Sequence, residues 1–282
     1  MAESFPYLAK HHWLVFDDQS LTPPLTADEA LAYQDSFIRW LPTQQTNATG
    51  IIHFYPIEAP TILLGAKDTR LADWRSGSQF LSEQGYQLSL RSHGGLAVVC
   101  DAGILNIGMA SDLTQFPLSI DEAYEQMVRL IRLTLASLGL HVEAYEIADS
   151  YCPGTYDLVI NGTKIGGIAQ RRFKNGLTTA AYISVCGDQQ TRAHLIRNYY
   201  QVGQADRSYP NINPRAMISL SDLLTIPLSV ADFKRLLLTT IQQYATLSVG
   251  DYTNEELQTI FAKMFAVATK RSQTIQPDYE KE

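Results

Sequence analysis

Cys152 and Lys164 are the residues of this chain whose types and spacing best suit covalent chemistry. Cys152 stands directly before Pro153 and Gly154, and Lys164 follows an Asn-Gly pair by two residues. A thiolate is a nucleophile, and a nearby ammonium group favours the thiolate over the thiol. The pair therefore predicts a cysteine nucleophile assisted by a lysine. A small buried cysteine and a solvated surface lysine remain the alternative, since both residue types usually play those parts.

The backbone around Cys152 decides whether the two side chains can meet. Pro153 favours an extended conformation at the preceding residue, and Gly154 permits a sharp turn. We therefore expect Cys152 in a bent loop. It reaches Lys164 only if this bend folds the loop back over the neighbouring strands.

A hairpin is predicted next to this loop. Asn-Gly at 161–162 lies between two β-rich runs, and both residues tolerate the positive φ of a type I′ turn. In that register Val159 pairs with Lys164, which then shares a face with Asp157 and Gly166. The hairpin and the later "FKNG" turn predict an antiparallel meander.

A second candidate region is "RSHGGLAVVCDAGILN", residues 91–106. Amide groups at Gly94 and Gly95 are suited to binding an anion or a developing oxyanion, with Arg91 and His93 alongside. The alternative is an ordinary tight turn with a hydrogen-bonded histidine. The segment matches neither nucleotide-binding loop pattern, G-x-G-x-x-G or G-K-[ST].

Helices must flank these strands. Capping boxes predict helix starts at Thr26, Ser119 and Thr253. The second of these helices should end in a left-handed cap at Gly139. A further helix is predicted from Ser229 to about residue 247.

These elements indicate an α+β fold, with a mixed or antiparallel β-sheet core flanked by helices. The β-rich runs "GIIHFYPI" and "TILLGA" predict two strands joined by a turn, and further strands follow across residues 86–110 and 155–185. We expect a single domain over residues 1–282, with a core at 45–250 and C-terminal helices at 229–272 packed on it.

Composition narrows the possible partners. The chain has 282 residues, a formal net charge of -7 and three cysteines at wide spacings. The negative charge argues against broad nucleic-acid binding, and the cysteines suggest neither a disulfide framework nor a zinc site. Without a signal-like or membrane-spanning segment, the expected location is the cytoplasm, with no membrane partner.

Two ordered motifs carry a family resemblance. "RSHGGLAVVCDAGILN" and, some sixty residues later, "DLVINGTKIGGIAQRR" together resemble the lipoate-protein ligase, octanoyltransferase and biotin-ligase superfamily. In that superfamily an R-x-x-G-G-x-x-V segment lines the acyl pocket, and a D-x-x-x-x-G-x-K segment carries an essential lysine. "SYCPGTYDL" is most similar to the cysteine-containing amidotransferases, which move octanoyl groups from the glycine cleavage H protein to lipoyl domains of 2-oxoacid dehydrogenases.

The resemblance implies a biotin/lipoate-ligase-like catalytic fold and residue roles. Cys152 would form an acyl thioester and Lys164 would lower the pKa of its thiol. The implied substrate-binding residues are Arg91, His93, Gly94, Gly95, Asp101, Asp157, Gly166 and Gly167. No metal and no cofactor are required, and the partners would be the acylated H protein, or another octanoylated carrier, and lipoyl domains.

Three other functions remain open at this point. The chain could be an octanoyltransferase that uses octanoyl-acyl carrier protein, an ATP-dependent lipoate-protein ligase, or a non-catalytic binder of acylated domains. Cys100 stands before Asp101 where the ligases generally have histidine, which weakens the ligase interpretation. Five basic residues are expected either to form a patch that receives acidic partner domains or to be a row of solvated charges: Arg70, Arg91, Arg171, Arg172 and Lys174.

Overall fold

The computed structural model describes residues 4–44 and 49–278. Within these ranges the α-helices are α1 (Pro6–Ala9), α2 (Ala27–Trp40), α3 (Trp74–Glu83), α4 (Ile120–Ala136), α5 (Gln189–Val202), α6 (Val230–Gln242) and α7 (Glu255–Gln273). The strands are β1 (His12–Asp17), β2 (Thr49–Phe54), β3 (Thr61–Leu64), β4 (Gln87–Leu90), β5 (Val98–Cys100), β6 (Ile104–Asp112), β7 (Glu143–Ala144), β8 (Leu158–Ile160), β9 (Thr163–Phe173), β10 (Gly176–Ser184) and β11 (Thr246–Val249).

The strands of these ranges form two sheets. The larger sheet has the order β11-β1-β2-β6-β10-β9-β8-β7, and the smaller has the order β4-β3-β5. In the larger sheet β1 runs parallel to both β11 and β2, and the other neighbours are antiparallel. The expected mixed sheet flanked by helices is confirmed.

Helices cover both faces of the larger sheet. Neighbouring residues of a strand point to opposite faces, and in β2 Ile52 packs in the cluster formed with α4 and α6, whereas Ile51 packs in the cluster formed with α2. Helix α7 packs along α2 and the end of β4. There, Ser272 donates a hydrogen bond to the Asp28 carboxylate at 2.6 Å and accepts one from the Leu90 amide at 3.0 Å.

Local sequence signals placed the first two predicted helix starts correctly. Thr26 and Ser119 each form the expected capping box, with the glutamate three residues on returning a hydrogen bond to the cap backbone. Gly139, just beyond α4, has φ +71°, as predicted for the left-handed cap of the helix that begins after Ser119. Such caps depend only on residues within one turn, which is why the sequence reveals them.

The C-terminal quarter departs from the sequence prediction. Helix α6 ends at Gln242 rather than near 247, because residues 246–249 form β11 and pair with β1. Helix α7 is capped by Asn254, whose side chain accepts from the Leu257 amide, rather than by Thr253.

The runs on either side of residues 58–60 also differ from the simple two-strand prediction. Both are strands, but β2 pairs with β1 and β6 whereas β3 pairs with β4 and β5, so they lie in different sheets. The segment between β2 and β3 therefore connects the two sheets. Residues of the smaller sheet line the cavity described below.

The predicted hairpin is confirmed at its turn, but an irregularity between Leu158 and Val159 shifts the register beyond it, so that Leu158 pairs with Gly166 rather than with Ile165. Asn161 and Gly162 have φ of +50° and +76°, and Val159 pairs with Lys164. Strands β8, β9 and β10 form the predicted antiparallel meander. Across the described residues, no helix combines the length and hydrophobicity needed to cross a bilayer.

Candidate active site

A cavity of about 420 Å³ brings together both regions singled out in the sequence. Strands β9 and β10, the smaller sheet, the N-terminus of α4 and the 152–157 loop contribute to its walls. Much of the lining is apolar, including Leu31, Leu63, Val98, Ile168, Ala180 and Ala181. The predicted site residues that line it are Arg91, His93, Gly94, Gly95, Cys152, Asp157, Lys164 and Gly167.

The thiol of Cys152 is held by two N–H donors. The Leu96 amide nitrogen lies 3.1 Å from Sγ and Nη2 of Arg91 lies 3.3 Å from it. Both groups direct positive charge at the sulfur, which stabilises a negative charge there. Arg91 also donates to the Leu96 carbonyl, so one guanidinium fixes both the sulfur and the Gly-Gly loop.

Gly95 makes this arrangement possible. Its φ is +103°, and a Cβ at this position would lie 2.6 Å from Nη2 of Arg91 and 2.9 Å from Sγ of Cys152. Any side chain there would displace the guanidinium or the thiol. Gly94, by contrast, has open space where a Cβ would point.

The backbone of Cys152 is not extended, contrary to the prediction from Pro153. Its φ is +48°, in the left-handed region that non-glycine residues rarely adopt. Contacts on both sides of the residue hold this conformation, since Lys164 binds its carbonyl oxygen while Arg91 and Leu96 bind its sulfur. The predicted fold-back of the loop toward Lys164 is therefore present, but through a different conformation.

The side chain of Lys164 contacts the backbone of the cysteine loop rather than the Cys152 thiol. Its side chain is 2% exposed, and Nζ donates to the carbonyls of Tyr151 and Cys152 at 3.0 and 2.8 Å and to Ser150 Oγ at 3.1 Å. The fourth partner is the Asp157 carboxylate at 2.8 Å. Sγ of Cys152 is not among these partners, so the cation in contact with the sulfur is Arg91.

Asp157 completes a buried ion pair. Its side chain is 2% exposed, and its second oxygen accepts from the Ile147 amide at 3.1 Å. Burial raises the pKa of the Asp157 carboxyl, and the ammonium of Lys164 opposes that rise. The pair joins the start of β9 to the end of the cysteine loop.

His93 lines the cavity as a neutral ring. It is 5% exposed, and its Nε2 is a buried atom without a hydrogen-bond partner. Burial lowers the pKa of His93 to about 4, so the imidazole carries no charge at neutral pH.

Two predicted site residues lie outside the cavity lining. The Asp101 carboxylate is bound by Arg192 through Nε at 2.8 Å and Nη2 at 2.6 Å, which makes it a partner in an ion pair rather than a wall of the cavity. Gly166 packs against the neighbouring strand, because a Cβ there would lie 2.2 Å from the Tyr182 carbonyl oxygen. Gly167 does face the cavity, with the site of its missing Cβ 3.8 Å from Nζ of Lys164.

The sequence carries no residue-type signal for the Leu96 amide or for the carbonyl acceptors of Tyr151 and Cys152. Backbone groups carry no residue-type signature, and only the fold brings them to the thiol and the ammonium. Tyr151 itself is anchored by its hydroxyl, which lies 2.6 Å from that of Tyr182. The three cysteines are free, and no group of three His, Cys, Asp or Glu in residues 4–44 and 49–278 is placed to hold a metal ion.

Comparison with known proteins agrees with this fold. A family model of the lipoyl protein ligase A/B catalytic domain matches residues 26–242. A Bacillus velezensis protein named octanoyl-GcvH:protein N-octanoyltransferase is 36% identical over 276 residues, spanning 95% of this chain and 94% of the relative. A Listeria monocytogenes protein named lipoyl-GcvH:protein N-lipoyltransferase is 36% identical over 252 residues, spanning 87% and 89%.

Solved structures share the fold at lower identity. Lipoate-protein ligase A bound with ATP superposes with a TM-score of 0.65 at 17% identity, covering 91% of this chain and 94% of that one. A bipartite lipoate protein ligase from Thermoplasma acidophilum, studied with its E2 lipoyl domain, gives a TM-score of 0.63 at 17% identity, covering 97% and 98%. The chain thus belongs to the lipoyl protein ligase A/B catalytic domain family.

Proposed function

We propose that this protein transfers an octanoyl group from the octanoylated glycine cleavage H protein to the lysine of lipoyl domains, through a thioester on Cys152. The observation that carries the proposal is the thiol of Cys152, held in an apolar cavity by the Leu96 amide and Arg91. The relatives at 36% identity, both named as acyltransferases that act with GcvH, support the choice of donor. We also propose a cytoplasmic location and a single domain.

In the first step the Cys152 thiolate attacks the carbonyl carbon of the octanoyl-lysine amide. The C–S bond forms, the C–N bond breaks, and the lysine of the donor leaves as an amine that must gain a proton. The carbonyl oxygen carries the developing negative charge. Amides of the Gly94–Leu96 turn lie beside the sulfur and are suited to stabilise it.

Lys164 has two parts in this scheme. It is a positioning residue, because it binds the carbonyls that set the conformation of the cysteine loop. It also lines the cavity as a buried ammonium, where it is the proton donor we assign to the departing amine. The space left by Gly167 allows the substrate amide to approach Nζ.

In the second step the neutral amine of an acceptor lysine attacks the thioester. The new C–N bond forms, the C–S bond breaks, and the nitrogen returns a proton to the Lys164 amine, which gave one up in the first step, as the thiolate is restored. Donor and acceptor use the same cavity in turn, since each presents a lysine side chain to one sulfur. No adenylate is needed, because the acyl group passes from one lysine amide to another and is activated as the Cys152 thioester.

The cavity provides the apolar surface that an eight-carbon chain requires. Burial of the chain contributes at most ~0.8 kcal/mol per CH₂. Within the segment 91–106, Val98 and Asn106 line the wall of the cavity. Ala97 and Val99 pack into the core.

Intact-protein mass spectrometry tests the proposed function. Incubation with octanoylated H protein should add one octanoyl group that hydroxylamine removes, because thioesters are cleaved by this nucleophile. Cys152→Ala should abolish the adduct. Cys186→Ala is the matched control, since Cys186 is another partly buried free cysteine outside the cavity lining, and it should leave the adduct intact.

Two results would contradict the proposal. An adduct that survives Cys152→Ala removes the thioester from the mechanism. Modification of a lipoyl domain by Cys152→Ala with free lipoate and ATP would instead establish ligase activity. Offering octanoylated and lipoylated H protein side by side decides the acyl preference, on which the two relatives named above differ.

A further inference from the structure

Three arginines surround the Asp35 carboxylate, which accepts a hydrogen bond from Ser92, the neighbour of the lining residue His93. We call Arg39, Arg171 and Arg271 the arginine cluster. Nε of Arg171 binds Oδ1 of Asp35, Nη1 of Arg39 lies 3.8 Å from the same oxygen, and Nη2 of Arg271 lies 3.8 Å from Oδ2. The cluster unites three elements that are remote in sequence, namely α2, β9 and α7.

The cluster carries more positive charge than its surroundings neutralise. The Asp35 carboxylate, itself 6% exposed, faces all three guanidinium groups, and the Asp28 carboxylate also acts on Arg271, which leaves a formal excess of one positive charge. Burial lowers the pKa of Arg39 and Arg271, and repulsion from the neighbouring arginines acts in the same direction. Adjacent His93 is neutral and adds no further positive charge.

The arginines also remain accessible. Their side chains are 18%, 26% and 23% exposed for Arg39, Arg171 and Arg271. Nη2 of Arg39 and Nη2 of Arg171 contact no acceptor in the described part of the chain. A guanidinium has five N–H groups in a planar fork, so these free edges suit a carboxylate.

Arg171 connects the cluster to the His93–Gly95 part of the cavity lining. Its Nη1 donates at 3.2 Å to the carbonyl of Ser92, the residue before His93 and Gly94 in the lining. Side chains alternate along β9, so Arg171 points toward α2 whereas Arg172 points toward α4 and donates to the Leu118 carbonyl at 3.0 Å. Only one of these two expected patch residues therefore belongs to the cluster.

We propose that the arginine cluster binds carboxylate side chains that flank the acylated or acceptor lysine on the partner domain. This inference rests on the proposed function, because it concerns the domain whose lysine enters the cavity. The chain has a net charge of -7, so an acidic partner meets general repulsion except at a local cationic surface. Carboxylates bound here also set the orientation in which the lysine approaches Cys152.

A purely structural cluster would hold α2, β9 and α7 together without touching a partner. The two roles differ in what they change. Loss of a structural contact affects folding and every acyl donor alike, whereas loss of a docking contact raises KM for protein substrates only.

The test is a double variant, Arg171→Gln with Arg271→Gln, which removes two charges and keeps polar side chains. The control is Arg235→Gln, because Arg235 is 74% exposed on α6 and lies outside the cavity lining. Each protein is assayed with octanoylated H protein and with a small neutral octanoyl thioester, reading Cys152 acylation by mass. Thermal melting checks that the variants fold.

We expect KM for octanoylated H protein to rise about tenfold or more in the double variant, with kcat nearly unchanged, since loss of charge complementarity weakens encounter and binding. Acylation by the neutral thioester should match the wild type. The salt dependence of KM should also become shallower. The Arg235→Gln control should behave as wild type in all three measurements.

Two outcomes would overturn the inference. An unchanged KM for octanoylated H protein shows that the cluster does not dock the partner, and an equal loss with both donors assigns it to folding or chemistry. If wild-type protein forms no Cys152 adduct with H protein, the proposed function fails instead. Calorimetric binding of the unacylated lipoyl domain then still tests the cluster, with weaker binding expected in the double variant and equal binding contradicting it.

Discussion

Arg91 is the residue through which the structure most changes the expected chemistry. The sequence suggested Lys164 as the cation that favours the thiolate, but the group in contact with Sγ is the Arg91 guanidinium. Removal of a charged hydrogen bond costs about 1.5–3 kcal/mol. Arg91→Met should therefore slow alkylation of Cys152 by iodoacetamide about tenfold or more at pH 7.

That prediction is measured in a Cys186→Ala background, so that alkylation reports on Cys152 alone. Arg91→Lys should retain part of the rate, because it keeps the charge but loses the planar fork that also binds Leu96. An alkylation rate that is insensitive to Arg91→Met would show that a group other than Arg91 stabilises the Cys152 thiolate.

Two adjacent glycines offer a matched pair of variants. An alanine methyl at Gly167 would make ordinary contacts, 3.4 Å from Asp157 and 3.8 Å from Nζ of Lys164, so Gly167→Ala should fold normally but fill the approach to the ammonium. At Gly166 the same change places Cβ 2.2 Å from the Tyr182 carbonyl, so the strand must move.

We expect Gly167→Ala to keep the wild-type melting temperature and lose most Cys152 acylation. Gly166→Ala should instead lower the melting temperature. Full acylation in Gly167→Ala would show that the substrate does not approach Lys164 at this point.

At the scale of elements, the Lys164–Asp157 pair joins β9 to the cysteine loop. Both side chains are 2% exposed, and removing one member of a buried pair leaves an uncompensated charge. Lys164→Met should thus lower the free energy of unfolding by about 3–5 kcal/mol at pH 7, measured by urea denaturation. Asp157→Asn added to Lys164→Met should recover part of the loss, and a larger loss in the double variant would contradict this account.

The pH dependence of the Lys164→Met variant follows from Asp157. Burial raises the pKa of this carboxyl, and without Lys164 nothing on the adjacent strand opposes the rise. A folded-state pKa above the unfolded value means that the folded protein binds the proton more tightly. The destabilisation should therefore be largest at neutral pH and shrink as the pH falls, whereas a constant deficit would point to lost packing.

Elements were predictable where the signal is local. The capping boxes at Thr26 and Ser119 and the Asn-Gly turn each involve a few adjacent residues, and the structure confirms all three. Strand β11 was mistaken for helix because its conformation depends on pairing with β1, more than two hundred residues away. Such pairing leaves no mark in the local hydrophobic pattern.

At the scale of the whole molecule, the same distinction applies to the site. Residue types pointed to Cys152, Lys164 and Arg91, and the fold brings them to one cavity. The left-handed backbone of Cys152 and the Asp101–Arg192 pair were not predictable, because each depends on contacts across the fold. The arginine cluster was only partly anticipated, since Arg39 and Arg271 approach Arg171 through the packing of three separate elements.

Because α7 packs against α2 and β4, residues from two distant parts of the chain meet beside the site, and they are synthesised at different times. Arg271 and Ser272 lie near the end of the chain, whereas the thiol, its two donors and Lys164 all lie between residues 91 and 164. Cys152 is therefore synthesised long before Arg271. The docking role proposed for the arginine cluster requires α7, whereas the contacts that hold the Cys152 sulfur do not.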